Sequence, residues 1–210
     1  MIYLIGGSAR CGKTILSKKI AIKKRTSLIS TDHLRSMVLA MVPKSEMNKK
    51  FPQTKMVSPK NKFRFDCHSA EAMLKAQVIE AKTMWPPIKA LISSLIYRDQ
   101  DCVIEGVHLF PSLVKQLKGT KDWKHIKVVY LIKTDLEKIQ IGFSKNKEEF
   151  DWMYPFIKND ADRLRKAAKM VSVKGAYIEK EAGKYNLKVY NTENNFNKVL
   201  KEARSYLINE

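Results

Sequence analysis

The chain has 210 residues, 44% of them hydrophobic and 29% charged, with a net charge of +19. These values suit one globular domain with a real core and room for an inserted lobe. They exclude a membrane-spanning chain, since no apolar run is long enough to cross a bilayer. The excess charge is mostly lysine, 32 Lys against 8 Arg. It favours an anionic partner, with nucleic acid possible but not favoured, because arginine is the better fork for specific phosphate and base contacts.

Ile2-Tyr3-Leu4-Ile5 is an apolar run fit for a buried strand, and no signal peptide is expected ahead of it. Gly7-Ser8-Ala9-Arg10-Cys11-Gly12-Lys13-Thr14 follows, a complete G-x-x-x-x-G-K-[ST] loop. Glycines at these spacings let successive backbone N–H groups turn toward a phosphate, and a following helix adds its positive end. Lys13 can reach the terminal phosphates of a nucleoside triphosphate, and the Thr14 hydroxyl can bind Mg²⁺. No Asn-Lys-x-Asp run accompanies the loop, which argues against GTP. Ile15, Leu16, Ile20 and Ala21 then share one helical stripe.

Ser27–Ser30 reads as a second strand, with Thr31 or Asp32 capping a helix that carries Leu34, Met37, Val38 and Met41. Residues 43–66 change character: Pro43, Pro52 and Pro59 are mixed with lysines and Arg64, and a mobile basic segment is expected. Helix resumes near Ser69, with Met73, Leu74, Val78 and Ala81 on one stripe. Pro86-Pro87 is expected to break it before a second helix through Ile96. Cys102–Glu105 and Val128–Ile132 are apolar on both faces, as covered parallel strands require. Thr134 or Asp135 caps a helix through Phe143. A long basic helix is expected from about Asp160 to Ala182, with Gly175 a break and Gly183 a stop. Leu187–Tyr190 is a fifth strand, and Phe196 to Leu207 a closing helix.

Strands alternating with helices predict a parallel α/β sheet, in which ligands sit at the carboxyl ends of strands. Several groups fall there. Asp32, after the second strand, can accept a proton from a substrate hydroxyl, while Arg35 meets a substrate anion. Glu105, ending the third strand, can hold a metal-bound water. His108 can touch an anionic substrate or be structural. Arg163 and Arg165 lie where a lid would fall; two apart, they do not share one helical face. Trp85, Trp123 and Trp152 are scattered and read as packing rather than a stacking ladder. Cys11, Cys67 and Cys102 are odd in number and widely spaced, which suits the reducing cytoplasm rather than a disulfide framework or zinc site. Cys11 is read as filler in the loop.

Three blocks in order, Leu4–Thr14, Ile29–Arg35 and Val103–Leu109, resemble 2-phosphoglycerate kinase and its relatives, and more distantly zeta toxins and chloramphenicol phosphotransferase. The resemblance implies a P-loop NTPase three-layer fold with a five-stranded parallel sheet in order 2-3-1-4-5. It implies ATP and Mg²⁺, Asp32 as base or substrate orienter, Arg35 as substrate contact, and a closing lid near Arg163. The expected activity is transfer of the γ-phosphoryl group of ATP to a hydroxyl of a small anionic metabolite. A nucleoside, nucleotide or polynucleotide 5′-hydroxyl acceptor stays open, as does a regulatory ATPase with no acceptor. The chain departs from the pattern after the fourth strand, where Gly142-Phe143, Lys145 and Lys147 stand in place of an expected arginine. One domain is expected over 1–210, with 36–101 a substrate-binding insertion and about 143–182 the lid region.

Overall fold

The computed structural model describes residues 1–56, 64–145 and 153–209. In chain order the elements are β1 (Ile2–Gly7), α1 (Lys13–Lys24), β2 (Ser27–Ser30), α2 (Thr31–Met41), α3 (Lys44–Lys50), α4 (Arg64–Cys67) and α5 (Ala70–Tyr97). There follow β3 (Cys102–Gly106), α6 (Pro111–Val114), β4 (Ile126–Ile132), α7 (Leu136–Lys145), α8 (Tyr154–Ile157), α9 (Ala161–Lys184), β5 (Lys188–Asn191) and α10 (Phe196–Ile208). The five strands form one parallel sheet in the order β2-β3-β1-β4-β5. Both the parallel sheet and its order agree with expectation.

Alternation along the strands fills two cores. Tyr3 and Ile5 of β1 pack on one face with Leu16 and Ile20 of α1, Val129 and Leu131 of β4, and Leu200 and Leu207 of α10. Ile2 and Leu4 point to the other face, against Met84, Trp85, Ile88 and Ile92 of α5 and Val128 and Tyr130 of β4. Helix α9 belongs to both cores: Ala167 and Val171 join the first, Ile178 and Ala182 the second. It therefore passes from one face of the sheet to the other. Among the described residues, no helix is long and apolar enough to cross a membrane.

Several local expectations are corrected. Helix α5 runs through Pro86 and Pro87 without ending. An interior proline costs about 3 kcal/mol, but Met84, Trp85, Ile88 and Ile92 straddle the pair and are all buried. Burying side chains of that size stabilises by about 1.5–3 kcal/mol each, so packing outweighs the breaker. Helix α9 likewise continues through Gly175 and Gly183 to Lys184. Residues 43–56 are not a loose segment: α3 and a short 3₁₀ turn at Pro52–Thr54 flank a fully buried Phe51. Pro59, Lys147 and Trp152 lie outside the described residues. Ser30, not Thr31 or Asp32, caps α2, its hydroxyl accepting from the Asp32 N–H at 3.3 Å. Asp135 does cap α7, accepting from the Glu137 and Lys138 N–H groups.

Candidate active site

The loop between β1 and α1 is built to face an anion. Gly7 has φ +143°, and a Cβ there would stand 2.0 Å from the Leu131 carbonyl oxygen of β4, so only glycine fits. Arg10 and Gly12 also take positive φ, 56° and 92°, which turns successive N–H groups inward. No side chain caps the N-terminus of α1. Its first N–H groups are therefore open to a ligand, with the positive end of the helix behind them. Lys13 is buried and donates from Nζ to the Ser8 carbonyl at 2.7 Å. Cys11 is fully buried beside the loop, and burial pushes its thiol up, away from the reactive thiolate; this fits the filler reading.

Sheet register brings the acidic groups to this loop. Ser30 of β2, Glu105 of β3 and Ile5 of β1 stand level across three neighbouring strands. Asp32 lies two residues past that level and Gly7 two residues past it on β1. A cleft of about 680 Å³ opens above, and its wall includes Lys13, Thr14, Asp32 and Glu105. The structure thus brings these four predicted residues to one cleft. Asp32 is largely exposed, its side chain at 66%. Glu105 is buried, and burial raises its pKa; Asp32 adds to the rise, while Lys13 and the Ser30 hydroxyl oppose it.

The other candidates are placed differently. His108 is 2% exposed and lies behind the cleft wall, with Nδ1 2.9 Å from Thr31 Oγ1 and 3.7 Å from Asp32 Oδ1. Burial, with Lys174 and Arg35 nearby, pushes its pKa down to about 3. The ring is neutral at ordinary pH, so its approach to Asp32 is not an ion pair. Arg35 donates from Nε to Glu80 Oε2 at 2.8 Å and stands 5.3 Å from the Phe51 ring. Glu80, with no exposed surface, also accepts from the Gln53 N–H at 2.7 Å and the Gln53 side chain at 3.0 Å. Arg163 pairs with Asp66 of α4 at 3.0 Å and with Asp160 at 3.3 Å. Arg165 is exposed on α9. Neither arginine lines the cleft.

Sequence reasoning missed three contributors, Lys133, Glu193 and Lys174, and the stacking of the loop's own Arg10 on Phe143. Lys133 directly follows β4 at the cleft wall, 5.8 Å from the Phe196 ring, and burial lowers its pKa. Arg10 lies 4.2 Å over the Phe143 ring. Glu193, after β5, accepts from the Thr134 hydroxyl at 3.1 Å and the Asp135 N–H at 2.6 Å, tying two loops at the cleft edge. Lys174 of α9 is buried beneath the site. Its signal was legible: it falls between Val171 and Ile178 on the apolar stripe of its helix, where a lysine is out of place.

A phosphate-binding loop after the central strand of a parallel 2-3-1-4-5 sheet defines the P-loop NTPase fold. Solved structures agree. A gluconokinase from Sinorhizobium meliloti 1021 aligns over 99% of this chain and 91% of its own, with TM-score 0.54 and 13% identity. A sugar kinase from Janibacter sp. HTCC2649 aligns over 99% of this chain and 94% of its own, with TM-score 0.54 and 12% identity. At these identities the likeness is one of fold. No family model and no curated protein matches the chain in sequence.

Proposed function

We propose that this chain is an ATP-dependent kinase that phosphorylates a hydroxyl of a small anionic metabolite, of the 2-phosphoglycerate type. One observation carries the reading: Lys13 and Thr14 share a cleft with Asp32 and Glu105. A phosphate cradle alone serves any nucleotide-binding ATPase. An exposed carboxylate on the same cleft is what an acceptor hydroxyl requires in addition. The structural neighbours named above, a gluconokinase and a sugar kinase, support the same reading.

In this reading the loop N–H groups and the α1 N-terminus hold the phosphates, and Lys13 neutralises charge on the transferred group. Phe143 and Phe196 flank the end of the cleft that takes the nucleoside. Asp32 orients the acceptor hydroxyl and takes its proton. The acceptor oxygen then bonds to the γ-phosphorus as the bond to the β–γ bridging oxygen breaks, and ADP leaves. Mg²⁺ fits the donor set: a hydroxyl, Thr14, and a carboxylate, Glu105, are hard oxygen ligands. Among the described residues no three acidic, His or Cys side chains cluster to hold a metal alone. Thr14 would hold it directly and Glu105 through water, and the ion would supply charge neutralisation for the bound phosphates. Arg35, steadied by Glu80, is assigned to the acceptor's anion. Arg163 and Arg165 are assigned to lid closure, which for Arg163 requires the Asp66 pair to open. His108 orients Thr31 and Asp32 from behind. The free thiols Cys11, Cys67 and Cys102 suit the cytoplasm.

The test is a phosphoryl-transfer screen offering phosphorylated hydroxy acids, sugar-type alcohols, nucleosides and 5′-hydroxyl oligonucleotides, with Lys13→Ala as blank. Phosphorylation of a small anionic alcohol, lost in the blank, is expected. ATP turnover indifferent to every acceptor would overturn the reading in favour of a regulatory ATPase. An acceptor whose affinity falls steeply with salt would overturn it in favour of a polynucleotide kinase.

A further inference from the structure

Lys174 has no place in the scheme above, yet its setting is unusual. Its side chain is 1% exposed. Its Nζ donates to Gln77 Oε1 of α5 at 2.8 Å and to the Val107 carbonyl at 3.0 Å, and lies 4.8 Å from the Phe110 ring centroid. Two neutral acceptors and a ring face are its partners; among the described residues no carboxylate lies within ion-pair distance of it. A buried ammonium without a counter-ion is costly. Val107 itself lines the cleft, so one peptide group separates this amine from the space above the phosphate loop.

The charges that reach Lys174 come from the site. Lys13 repels it and Asp32 attracts it, with Cys11 a further influence. His108, on the same loop as Val107, feels its charge in turn. From α5 it meets Gln77 and from the residue before α6 Phe110, neither of which titrates. Two ammonium groups, Lys13 on the cleft wall and Lys174 behind Val107, are thus close enough to oppose each other.

We propose that Lys174 is a positioning residue whose charged form is completed by an anionic ligand in the cleft, so that phosphate binding at Lys13 strengthens its hold on the Val107 loop and on α5. Phosphate oxygens against Lys13 replace a repulsion with a net attraction, and the ammonium then fastens Val107, two residues past Glu105, and Gln77, one turn before Glu80. The inference rests on the nucleotide-binding part of the proposed function. Its consequence is measurable. Burial, then Lys13, hold the pKa of Lys174 down to about 7, so near neutrality much of it is uncharged before the ligand arrives. Ligand binding then draws a proton from the buffer.

Calorimetric titration of the whole chain with MgATP at pH 7.5, in two buffers of different ionisation enthalpy, measures that proton. Glu105 and Lys133 also face the cleft and add their own exchange, so the Lys174 share is the difference between wild type and variant. Expected is net uptake by wild type that is lost in Lys174→Met, with binding weakened about ten-fold, the equivalent of one pKa unit. Lys174→Arg, permanently charged, loses the uptake but keeps affinity near wild type; it carries the test if Lys174→Met does not fold. Uptake unchanged in either variant, or absent from a wild type that binds MgATP, overturns the proposal. Failure of wild type to bind MgATP at all is a different result: it overturns the nucleotide reading, and this inference with it.

Discussion

The Ser8 hydroxyl donates to the Val171 carbonyl at 3.2 Å, joining the phosphate loop to the middle of α9 across 163 positions of sequence. The same stretch of α9 reaches the other strand ends. Ser172 donates to the Thr134 carbonyl at 2.6 Å, Lys174 to the Val107 carbonyl, and Gly175 lies against the Lys133 carbonyl. The loops after β1, β3 and β4 are all fastened by residues 171–175. Residues 171–175, within the region expected to form a lid, are therefore packed against the strand ends beneath the site.

Gly175 and Gly183 lie in the same helix but should answer substitution with opposite sign. A Cβ at Gly175 would stand 2.1 Å from the Lys133 carbonyl oxygen, a backbone atom, whereas nothing lies within 4 Å of one at Gly183. Alanine improves helix propensity by about 1 kcal/mol over glycine. Gly183→Ala should gain about 0.5–1 kcal/mol. Gly175→Ala should lose about 2 kcal/mol or more, because α9 must shift off β4. Urea denaturation of both variants checks the pair; equal and favourable effects would mean that α9 does not sit where described.

Glu80 should be worth more to stability than its surroundings suggest. It accepts three hydrogen bonds, from Arg35 and twice from Gln53, with no exposed surface of its own. Glu80→Ala removes the partner of a half-buried guanidinium and of a backbone N–H together, and a loss of about 3 kcal/mol is expected. Glu80→Gln keeps the shape and one acceptor oxygen and should lose roughly half as much. Chemical denaturation reads both.

Acid should act on the fold through His108. Its folded pKa, about 3, lies below the ordinary 6.5. Between those values the unfolded chain binds a proton that the folded chain refuses, so stability is full above pH 6.5 and is lost as pH falls toward 3. From pH 6.5 to 5 the contribution of this one group should decline by on the order of 1–2 kcal/mol. The stability difference between wild type and His108→Asn, followed by urea denaturation across that range, should shift by this amount. A constant difference would place the ring in water.

Asp32 offers the sharpest separation of chemistry from folding. Its side chain is largely exposed, so Asp32→Asn should change stability by less than about 0.5 kcal/mol. If it takes the acceptor's proton, kcat should fall by roughly 10²–10⁴ while MgATP affinity stays near wild type. Turnover with the best acceptor and nucleotide titration supply the two readouts. Unchanged kcat would move the base to another group, with Glu105 and Glu193 the other carboxylates on the cleft wall.

Residues whose information is local were legible. The phosphate loop and the strand before it are contiguous, so spacing alone gave Lys13 and Thr14 their places. Asp32 and Glu105 followed from one further step, since each ends a strand and parallel strands end on one side. What misled was also local. Pro86-Pro87 and Gly175 read as breakers because propensity counts backbone cost and not the apolar surface buried around them. Lys133, Glu193 and the Arg10–Phe143 stack belong to loops that meet only after the sheet has formed.

The sequence by itself determined the loop half of the site: a strand, a turn that only glycine can make, and a helix whose first N–H groups are left open. Those are short-range matters of φ, ψ and periodicity. The tertiary structure alone decided what supports it. The Lys174–Val107 and Lys174–Gln77 bonds span 67 and 97 positions, and no local rule pairs residues so far apart. They exist because α9 must bury one stripe against both faces of the sheet, and in crossing the strand ends it carries a lysine under the phosphate site.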